Sequence, residues 1–255
     1  MRICTRCVLP ETFPGIRFDD NGVCSFCARH TPYLEGLEAK QAIREKFEKV
    51  AREVRSRPGY HAALAYSGGK DSTYTLWLLR SHYDLRVLTV TFDNGFISPC
   101  AFANIRAMAE AMNADSLVIK PRRDALVRVF SEVTRRNPYP AKALERASGI
   151  CNACMGLVKN VVLRVALEKG IPLVVYGWSP GQAPISASLF RMNAPMLRQM
   201  VGARSTPLAT LAGDALEPYL LAEEQFAQAA ELPFNVNLLA FHDYVEEDVR
   251  SAIER

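Results

Sequence analysis

The chain alternates short apolar runs with longer segments in which apolar residues recur at helical spacing. The apolar runs predict strands over residues 62–66, 86–92, 116–120 and 172–176. Helical spacing predicts helices over residues 36–57, 72–80, 101–112, 124–135, 155–169, 217–230 and 245–254. Because the strands are almost continuously apolar and alternate with helices, the pattern indicates an α/β fold with a parallel sheet covered on both faces.

Residues 177–215 interrupt this alternation with four prolines and no clear periodicity. An irregular segment of this length inside a compact domain is typical of a substrate lid or binding loop. We therefore expect this segment to border a functional site.

Composition limits the class of protein. Of the 255 residues, 49% are hydrophobic and 23% charged, and the formal charge is +4, which is ordinary for a globular domain and permits an anionic substrate without requiring nucleic acid. No apolar run approaches the length of a membrane span, and the N-terminus lacks the layout of a signal peptide. We expect a cytoplasmic enzyme with no membrane partner.

Six of the seven cysteines stand in Cys-x-x-Cys pairs, and Cys100 stands alone. The pairs are Cys4/Cys7, Cys24/Cys27 and Cys151/Cys154. In a reducing compartment, disulfides are rare, so paired cysteines indicate metal binding or catalysis.

The first two cysteine pairs match the spacing of a four-thiolate zinc ribbon, and a unit this short has no adequate core without the metal. We therefore expect Zn²⁺ at Cys4, Cys7, Cys24 and Cys27. The predicted division of the chain is a zinc ribbon at 1–30, a linking helix at 36–57, a main domain at 58–215 and a helical tail at 216–255.

The string S-G-G-K-D-S occupies residues 67–72, between a predicted strand and a predicted helix. Glycines let backbone N–H groups turn toward an anion, the helix N-terminus adds partial positive charge, and Lys70 adds a full one. Asp71 either caps the helix or helps to hold Mg²⁺. The string differs from the G-x-x-x-x-G-K-[ST] nucleotide loop.

This string resembles the S-G-G-x-D-S signature of the PP-loop ATP pyrophosphatase superfamily. The resemblance implies that the loop grips the pyrophosphate of ATP while an acceptor oxygen attacks the α-phosphate, after which a nitrogen or sulfur nucleophile displaces AMP. The residues that would bind pyrophosphate and Mg²⁺ are Ser67, Gly68, Gly69, Lys70, Asp71 and Ser72. The end of the second strand would border adenosine, where Asp93 is either a polar contact or simply a turn former.

The third cysteine pair lies near the start of the helix predicted at 155–169, where a helix N-terminus favours thiolate. The stretch from Ile150 to Gly177 resembles the matching segment of PP-loop tRNA thiolases. In that family the pair holds a [4Fe–4S] cluster with a third cysteine, or one cysteine carries a persulfide. By this resemblance Lys159 would face ATP; as an alternative it is a solvated lysine.

The chain departs from the thiolases at two points. Since no cysteine follows Cys154, the third ligand would be Cys100, or a residue such as His242 or Asp243; alternatively Cys100 is a small core residue and His242 a surface histidine beside a turn. The thiolase loop G-H-N-x-D-D is replaced by G-W-S-P-G-Q-A-P at 177–184. This replacement favours a small or nucleotide-like acceptor over tRNA.

The N-terminal string C-T-R-C through C-S-F-C, at residues 4–27, resembles N-acetyl sugar amidotransferases, another PP-loop group. Their closing Tyr-rich acidic segment is also similar to residues 241–244. This resemblance implies an enzyme that inserts ammonia into a sugar amide, beside a partner that generates the ammonia.

Basic residues cluster between Arg122 and Lys159, including Arg146. They are interpreted either as contacts to the acceptor or as residues on solvated helix faces.

Taken together, the loop and the cysteine pairs predict an ATP-dependent sulfurtransferase that uses a sulfur donor, with Cys151, Cys154, Cys100 and Lys70 as catalytic residues. The alternatives are the ammonia-dependent amidotransferase and an ATP-sensing adaptor that binds a partner through its ribbon. A homodimer is a family-level expectation.

Overall fold

A computed structural model describes residues 1–29, 33–145, 147–227 and 229–253, with the side chains of 33–35 and 203–206 outside that description. Arg146 therefore lies outside the described residues. The strands are β1 (Ala62–Ala65), β2 (Val87–Phe92), β3 (Asp115–Ile119), β4 (Leu173–Tyr176), β5 (Leu189–Arg191) and β6 (Phe234–Val236).

The helices differ widely in length. The α-helices are α1 (Ser25–Ala28), α2 (Tyr33–Arg55), α3 (Lys70–Trp77), α4 (Pro99–Ala111), α5 (Arg123–Arg135), α6 (Ala141–Leu144), α7 (Gly149–Glu168), α8 (Ala194–Ala212), α9 (Glu223–Ala227) and α10 (Glu246–Ile253). A π-helical turn extends α3 over Leu78–His82, and 3₁₀ turns span Ile185–Ala187, Gly213–Tyr219 and Leu238–Ala240.

The six strands form one sheet in the order β3-β2-β1-β4-β6-β5. Every neighbouring pair is parallel except β5 with β6. At the centre, Ala63 of β1 is opposite Leu88 of β2 on one side and Val174 of β4 on the other. The predicted α/β fold with a mostly parallel sheet is confirmed.

Both faces of the sheet are covered, because successive side chains of a strand point to opposite faces. Ala63 of β1 packs into a core layer that includes Leu157 of α7 and residues of α5 and α8. Its neighbours Ala62 and Leu64 pack into the opposite layer, which includes Phe47 of α2 and residues of α3.

Several predicted elements are wrong in extent or kind. The helix predicted at 155–169 begins at Gly149, and the segment at 177–215 contains the 19-residue helix α8. Pro195 lies in the first turn of α8, where a missing N–H costs nothing, although Pro207 lies inside the helix. The helix predicted at 217–230 is a 3₁₀ turn followed by the five-residue α9.

Helix α7 corrects the expectation that no apolar run approaches the length of a membrane span. Its 20 residues are long and apolar enough by length and composition, the one such helix in the described part of the chain. Half of the window is buried inside the protein, and α7 packs on β1, β2, α5 and α8. Its apolar character is that of a central helix of the core.

Candidate active site

The loop between β1 and α3 turns sharply beside helix α4. Gly68 has a φ of +73°, and a Cβ at this position would lie 2.7 Å from the carbonyl oxygen of Ala101 and 2.8 Å from Cγ1 of Ile105. A side chain is therefore excluded both by backbone conformation and by space. The sequence places glycine where the loop and α4 meet.

The two serines of the S-G-G-K-D-S string close the loop. The hydroxyl oxygens of Ser67 and Ser72 are 3.1 Å apart, and Ser72 Oγ donates to the carbonyl of Gly69 at 3.0 Å. The N–H of Gly69 donates to Ser67 Oγ at 3.4 Å. The loop is therefore a compact ring of hydroxyl and amide groups at the N-terminal end of α3, where the N–H groups of a helix have no partner within the helix.

Asp71 is tied to three donors from three parts of the chain. Ser179 Oγ donates to Asp71 Oδ2 at 2.5 Å, and Lys70 Nζ donates to Oδ1 at 3.1 Å. The hydroxyl of Tyr244 also donates to Asp71 Oδ1 and accepts from Lys70 Nζ. Gly69 is the N-cap residue of α3 and Asp71 lies within its first turn, so Asp71 is not the N-cap residue considered from the sequence.

These bonds set the charge of the cluster. Burial alone would raise the pKa of Asp71, but the hydrogen bonds from Ser179, Tyr244 and Lys70 outweigh burial and lower it. The bonds to Tyr244 and Asp71 raise the pKa of Lys70. Asp71 is thus a carboxylate and Lys70 an ammonium at neutral pH.

The strand ends bring these residues together, since parallel strands end at one edge of the sheet. Gly177 follows β4, and a Cβ there would lie 2.5 Å from the Cα and 2.9 Å from the N of Ser72. This close approach places the segment that begins at Gly177 directly against the N-terminus of α3, and Ser179 follows two residues later.

Asp93 follows β2 at the same edge and is 5% exposed. Its Oδ1 accepts from the N–H of Gly95 at 2.9 Å, and its Oδ2 pairs with Lys120 Nζ at 3.1 Å. The carboxylate therefore has the turn-forming role considered from the sequence. The contact of Asp93 with adenosine stays a prediction.

The third cysteine pair lies inside α7, because the helix begins at Gly149 with Ser148 as its N-cap. Cys151 is exposed, and its N–H donates to Ser148 Oγ at 3.3 Å. Cys154 is half-buried, and its sulfur accepts from Nδ2 of Asn94 at 3.4 Å. Burial raises the pKa of Cys154, so the thiolate expected from the helix N-terminus is wrong for this residue.

Among the described residues, no third ligand atom joins the sulfurs of Cys151 and Cys154 closely enough for the three to share one metal ion. In the described residues, the one group of three or more ligand atoms within 4.8 Å of one another is the N-terminal cysteine set. Cys100 is exposed, so it is not a core residue; it sits in the first turn of α4, next to the Ala101 carbonyl that meets Gly68.

His242 is not the surface histidine considered from the sequence. It is 8% exposed, and its Nε2 is 2.5 Å from the hydroxyl of Tyr83. Burial lowers the pKa of His242 to about 4. The neighbouring Asp243 is bound to Arg44 at 3.1 Å. Through these contacts, His242 and Asp243 connect the C-terminal segment to α2 and to the end of the π-helical turn.

Lys159 lies on α7 with its ammonium 4.3 Å from the ring centroid of Trp178 and 5.7 Å from that of Tyr176. A cation over aromatic faces is attracted by their quadrupoles. Lys159 therefore packs on the ring face of Trp178, in the segment after β4. Its contact with ATP stays a prediction.

The ligand atoms of Cys4, Cys7, Cys24 and Cys27 all lie within 4.8 Å of one another. Four sulfurs about 2.3 Å from a tetrahedral zinc ion would lie about 3.8 Å apart, which this set fits. The N–H of Cys24 donates to Cys4 Sγ at 3.2 Å, and the N–H of Cys27 donates to Cys24 Sγ at 3.4 Å. The predicted N-terminal four-cysteine ribbon is confirmed as an arrangement of thiols.

The ribbon touches the main sheet domain near the third cysteine pair. Gly15, with a φ of +72°, lies so close to Glu145 that a Cβ there would be 2.3 Å from Oε1. Glu145 follows α6, and Nδ2 of Asn152 on α7 donates to the carbonyl of Ala143 at 3.3 Å. The ribbon is thus positioned over the short connection that leads into α7.

Sequence reasoning missed three residues of this site as contributors. Ser179 and Tyr244 bind the Asp71 carboxylate, and Asn94 binds the sulfur of Cys154. Asn94 and Ser179 follow predicted strands, so their place at the carboxyl edge was a usable signal. Tyr244 lies 173 residues beyond Asp71, and the sequence carries no local pattern that predicts this contact.

The chain resembles PP-loop ATP pyrophosphatases in the residues that carry their signature, and those residues occupy the strand–loop–helix junction that the resemblance implies. No protein-family model matches the chain. An uncharacterized protein of Methanocaldococcus jannaschii is 26% identical over 176 residues, which are 68% of this chain and 58% of that protein. The chain therefore spans less than two thirds of this relative.

Three solved structures are similar at low identity. A U34-tRNA thiolase from Methanococcus maripaludis with its [4Fe–4S] cluster is 16% identical, with a TM-score of 0.38 over 100% of this chain and 72% of that one. An NH₃-dependent NAD synthetase from Campylobacter jejuni is 14% identical, with a TM-score of 0.39 over 55% and 57%.

A phosphoadenylyl-sulfate reductase from Candida auris is 12% identical, with a TM-score of 0.41 over 88% and 87%. At these TM-scores the three likenesses carry no argument about activity. Any functional conclusion therefore depends on the geometry of this chain.

Gly177→Ala tests the close approach that builds the site. We expect a loss of about 1–3 kcal/mol in the free energy of unfolding, because the new Cβ would collide with the backbone of Ser72. Gly202→Ala in α8 is the control, since a Cβ there meets no atom of the described residues within 4 Å. Urea denaturation measures the free energy of unfolding of both variants. An unchanged value for Gly177→Ala would contradict the close packing of Gly177 on Ser72.

Proposed function

We propose that this protein is an ATP-dependent adenylating transferase that binds the pyrophosphate of ATP in the loop at residues 67–72. The observation that carries the proposal is the closed S-G-G-K-D-S loop at the N-terminus of α3. Backbone N–H groups, two hydroxyls and the Lys70 ammonium are donors suited to a polyanion. Carboxylate oxygens are ligands that Mg²⁺ prefers, so Asp71 would hold a Mg²⁺ ion, which would neutralise part of the charge of the phosphates.

The chemistry follows from which end of ATP the loop holds. With the β- and γ-phosphates bound, an acceptor carbonyl oxygen attacks the α-phosphorus, and the bond to pyrophosphate breaks. The loop donors stabilise the negative charge that develops on the departing pyrophosphate. The acceptor carbon then carries AMP as a leaving group, ready for displacement by a second nucleophile.

We further propose that the second nucleophile is the outer sulfur of a persulfide on Cys151, which a persulfide donor forms by passing its outer sulfur to the Cys151 thiol and keeping a thiol itself. This sulfur attacks the activated carbon and AMP departs. Cys154 then attacks Cys151 Sγ, which releases the thiocarbonyl product and leaves a Cys151–Cys154 disulfide for an external dithiol to reduce. The support is the Cys151/Cys154 pair, which reaches the same sheet edge through the contact between Asn94 and Cys154. Cys151 is the exposed member and is suited to receive sulfur from a partner.

A [4Fe–4S] cluster would take Cys151 and Cys154 as two of its ligands and, by the thiolase resemblance, needs a third. Among the described residues no third ligand atom joins their sulfurs in a group within 4.8 Å of one another, a spacing that applies to ligands of a single metal ion and is shorter than that between the sulfurs of a cluster. Cys100 or His242 as the third ligand stays a prediction. We assign the sulfur step to the thiol pair.

The position of Tyr244 at the loop favours ammonia transfer as a second candidate function, because residues 241–244 resemble the closing segment of the amidotransferases. In that reaction ammonia displaces AMP from an activated N-acetyl sugar, giving an amidine, and the thiol pair takes no part. In either reaction we expect a small or nucleotide-like acceptor, with tRNA as the other class to test.

Lys70→Ala and Ser72→Ala should each weaken ATP binding at least tenfold and abolish pyrophosphate release, because charge-assisted donors to the polyanion are lost. Isothermal titration with ATP and Mg²⁺ and a pyrophosphate assay measure the two effects. Lys169→Ala and Ser56→Ala are matched controls at exposed positions. Wild-type-like binding in both loop variants would end the proposal, and ATP binding without pyrophosphate release for any acceptor would indicate the adaptor instead.

The ribbon should hold about one Zn²⁺ per chain, bound by its four thiolates. Cys24→Ser should lose the zinc and lower the melting temperature, because the metal supplies folding energy to a unit with little core. Elemental analysis and thermal denaturation check this, with Cys100→Ser as the control that keeps its zinc. A full zinc content in Cys24→Ser would contradict the assignment.

Cys151→Ser separates the two candidate reactions. Under sulfur transfer it should abolish thiolated product while pyrophosphate release with the acceptor persists, because activation precedes the sulfur step. Under ammonia transfer it should leave product formation unchanged. Mass spectrometry of the products distinguishes the two reactions. The acceptors to be tested are nucleobases, nucleotides, tRNA and acetamido sugars.

Iron and sulfide analysis of protein purified without oxygen addresses the cluster. About four irons per chain would show that a third ligand is recruited. Zinc alone, together with a colourless protein, would show that the thiol pair works without a cluster.

A further inference from the structure

The C-terminal segment reaches back to the pyrophosphate loop through one hydroxyl group. Tyr244 OH accepts a hydrogen bond from Lys70 Nζ and donates one to Asp71 Oδ1. Since a phenol has one proton to donate, this direction of bonds requires a neutral Tyr244 and suits an Asp71 carboxylate and a Lys70 ammonium. Burial, followed by the bond to Asp71, raises the pKa of Tyr244 and keeps the phenol neutral.

The contact between Lys70 and Asp71 needs this third member. Consecutive residues of a helix do not face each other, so two side chains at the first positions of α3 have no intrinsic reason to meet. Their 3.1 Å ion pair forms where the Tyr244 hydroxyl bonds to both. The Lys70 ammonium also lies 5.1 Å from the centroid of the Tyr244 ring, which adds a cation–π attraction.

The segment around Tyr244 is anchored independently of the loop. Helix α10, which follows it, packs on α3, and the ring of Tyr244 meets that of Tyr74 edge to face at 6.3 Å. On the other side, Arg44 of α2 binds the carbonyl of Phe241 at 3.1 Å and the carboxylate of Asp243 at 3.1 Å. The hydroxyl is therefore presented by a fixed backbone.

We propose that Tyr244 is a positioning residue of the nucleotide site, which holds Lys70 in place to meet the pyrophosphate of ATP and so makes pyrophosphate recognition depend on the C-terminal segment. The inference rests on the proposed function. A lysine side chain has many rotamers, and Lys70 is 50% exposed. Restricting it before binding removes an entropy cost that the ligand would otherwise meet.

Tyr244→Phe in the full chain tests the inference, because it removes the hydroxyl and keeps the ring. We expect the affinity for ATP and for inorganic pyrophosphate to fall roughly threefold to tenfold, the range for the loss of one ordinary hydrogen bond, because the hydroxyl acts on the ligand only through Lys70. The affinity for AMP, which lacks the β- and γ-phosphates, should not change. Isothermal titration with the three ligands gives the values.

Tyr60→Phe is the matched control, since Tyr60 OH donates to the carboxylate of Asp115 at 2.6 Å in the first residue of β3, away from the loop. It should bind all three ligands like the wild type. Ser179→Ala, which removes the donor to the other oxygen of Asp71, is a second variant and should also weaken ATP binding while sparing AMP.

The outcomes separate the inference from the proposed function. If the wild type binds neither ATP nor pyrophosphate, the proposed function fails. If the wild type binds both and Tyr244→Phe binds them equally well, the positioning role fails and the function stands. An equal loss of ATP and AMP affinity, or a lowered melting temperature that accounts for it, would show that Tyr244 acts through general stability and would also overturn the inference.

Discussion

The close backbone approach around the N-terminus of α3 is the constraint on which the rest of the site depends. Gly68 meets α4 and Gly177 meets Ser72 at distances that leave no room for a Cβ. Because β1, β2 and β4 are parallel and end at one edge, this approach brings the S-G-G-K-D-S loop, Asn94 and Ser179 into one place. A polyanion at the loop would therefore meet donors from several segments at once.

The seven cysteines fall into groups that differ in geometry and not only in spacing. The ribbon draws four sulfurs together through turns whose N–H groups point at sulfur. Cys151 and Cys154 instead lie in the first turns of α7, and burial raises the pKa of Cys154. The first group therefore has the spacing of a metal site, whereas the second presents one exposed thiol, that of Cys151.

Much of the central sheet could be predicted because its strands carry a strong local signal. Predicted and observed bounds of β2 differ by one residue, since Val87–Phe92 is buried throughout. The strands β5 and β6 were missed because each has three residues, too few to show a period. Helix α8 was missed because prolines, including Pro207 inside the helix, normally argue against one, and packing against α5 and α7 overrides that preference.

The sequence by itself determined the parallel α/β architecture, the junction at 67–72 and the pairing of cysteines, because each is written in residues close together along the chain. Only the tertiary structure decided which distant groups meet there. Tyr244 and Ser179 bind Asp71, and His242 contacts the hydroxyl of Tyr83. Contacts of this kind depend on how whole helices and strands pack together, so no local pattern of apolar and polar residues predicts them.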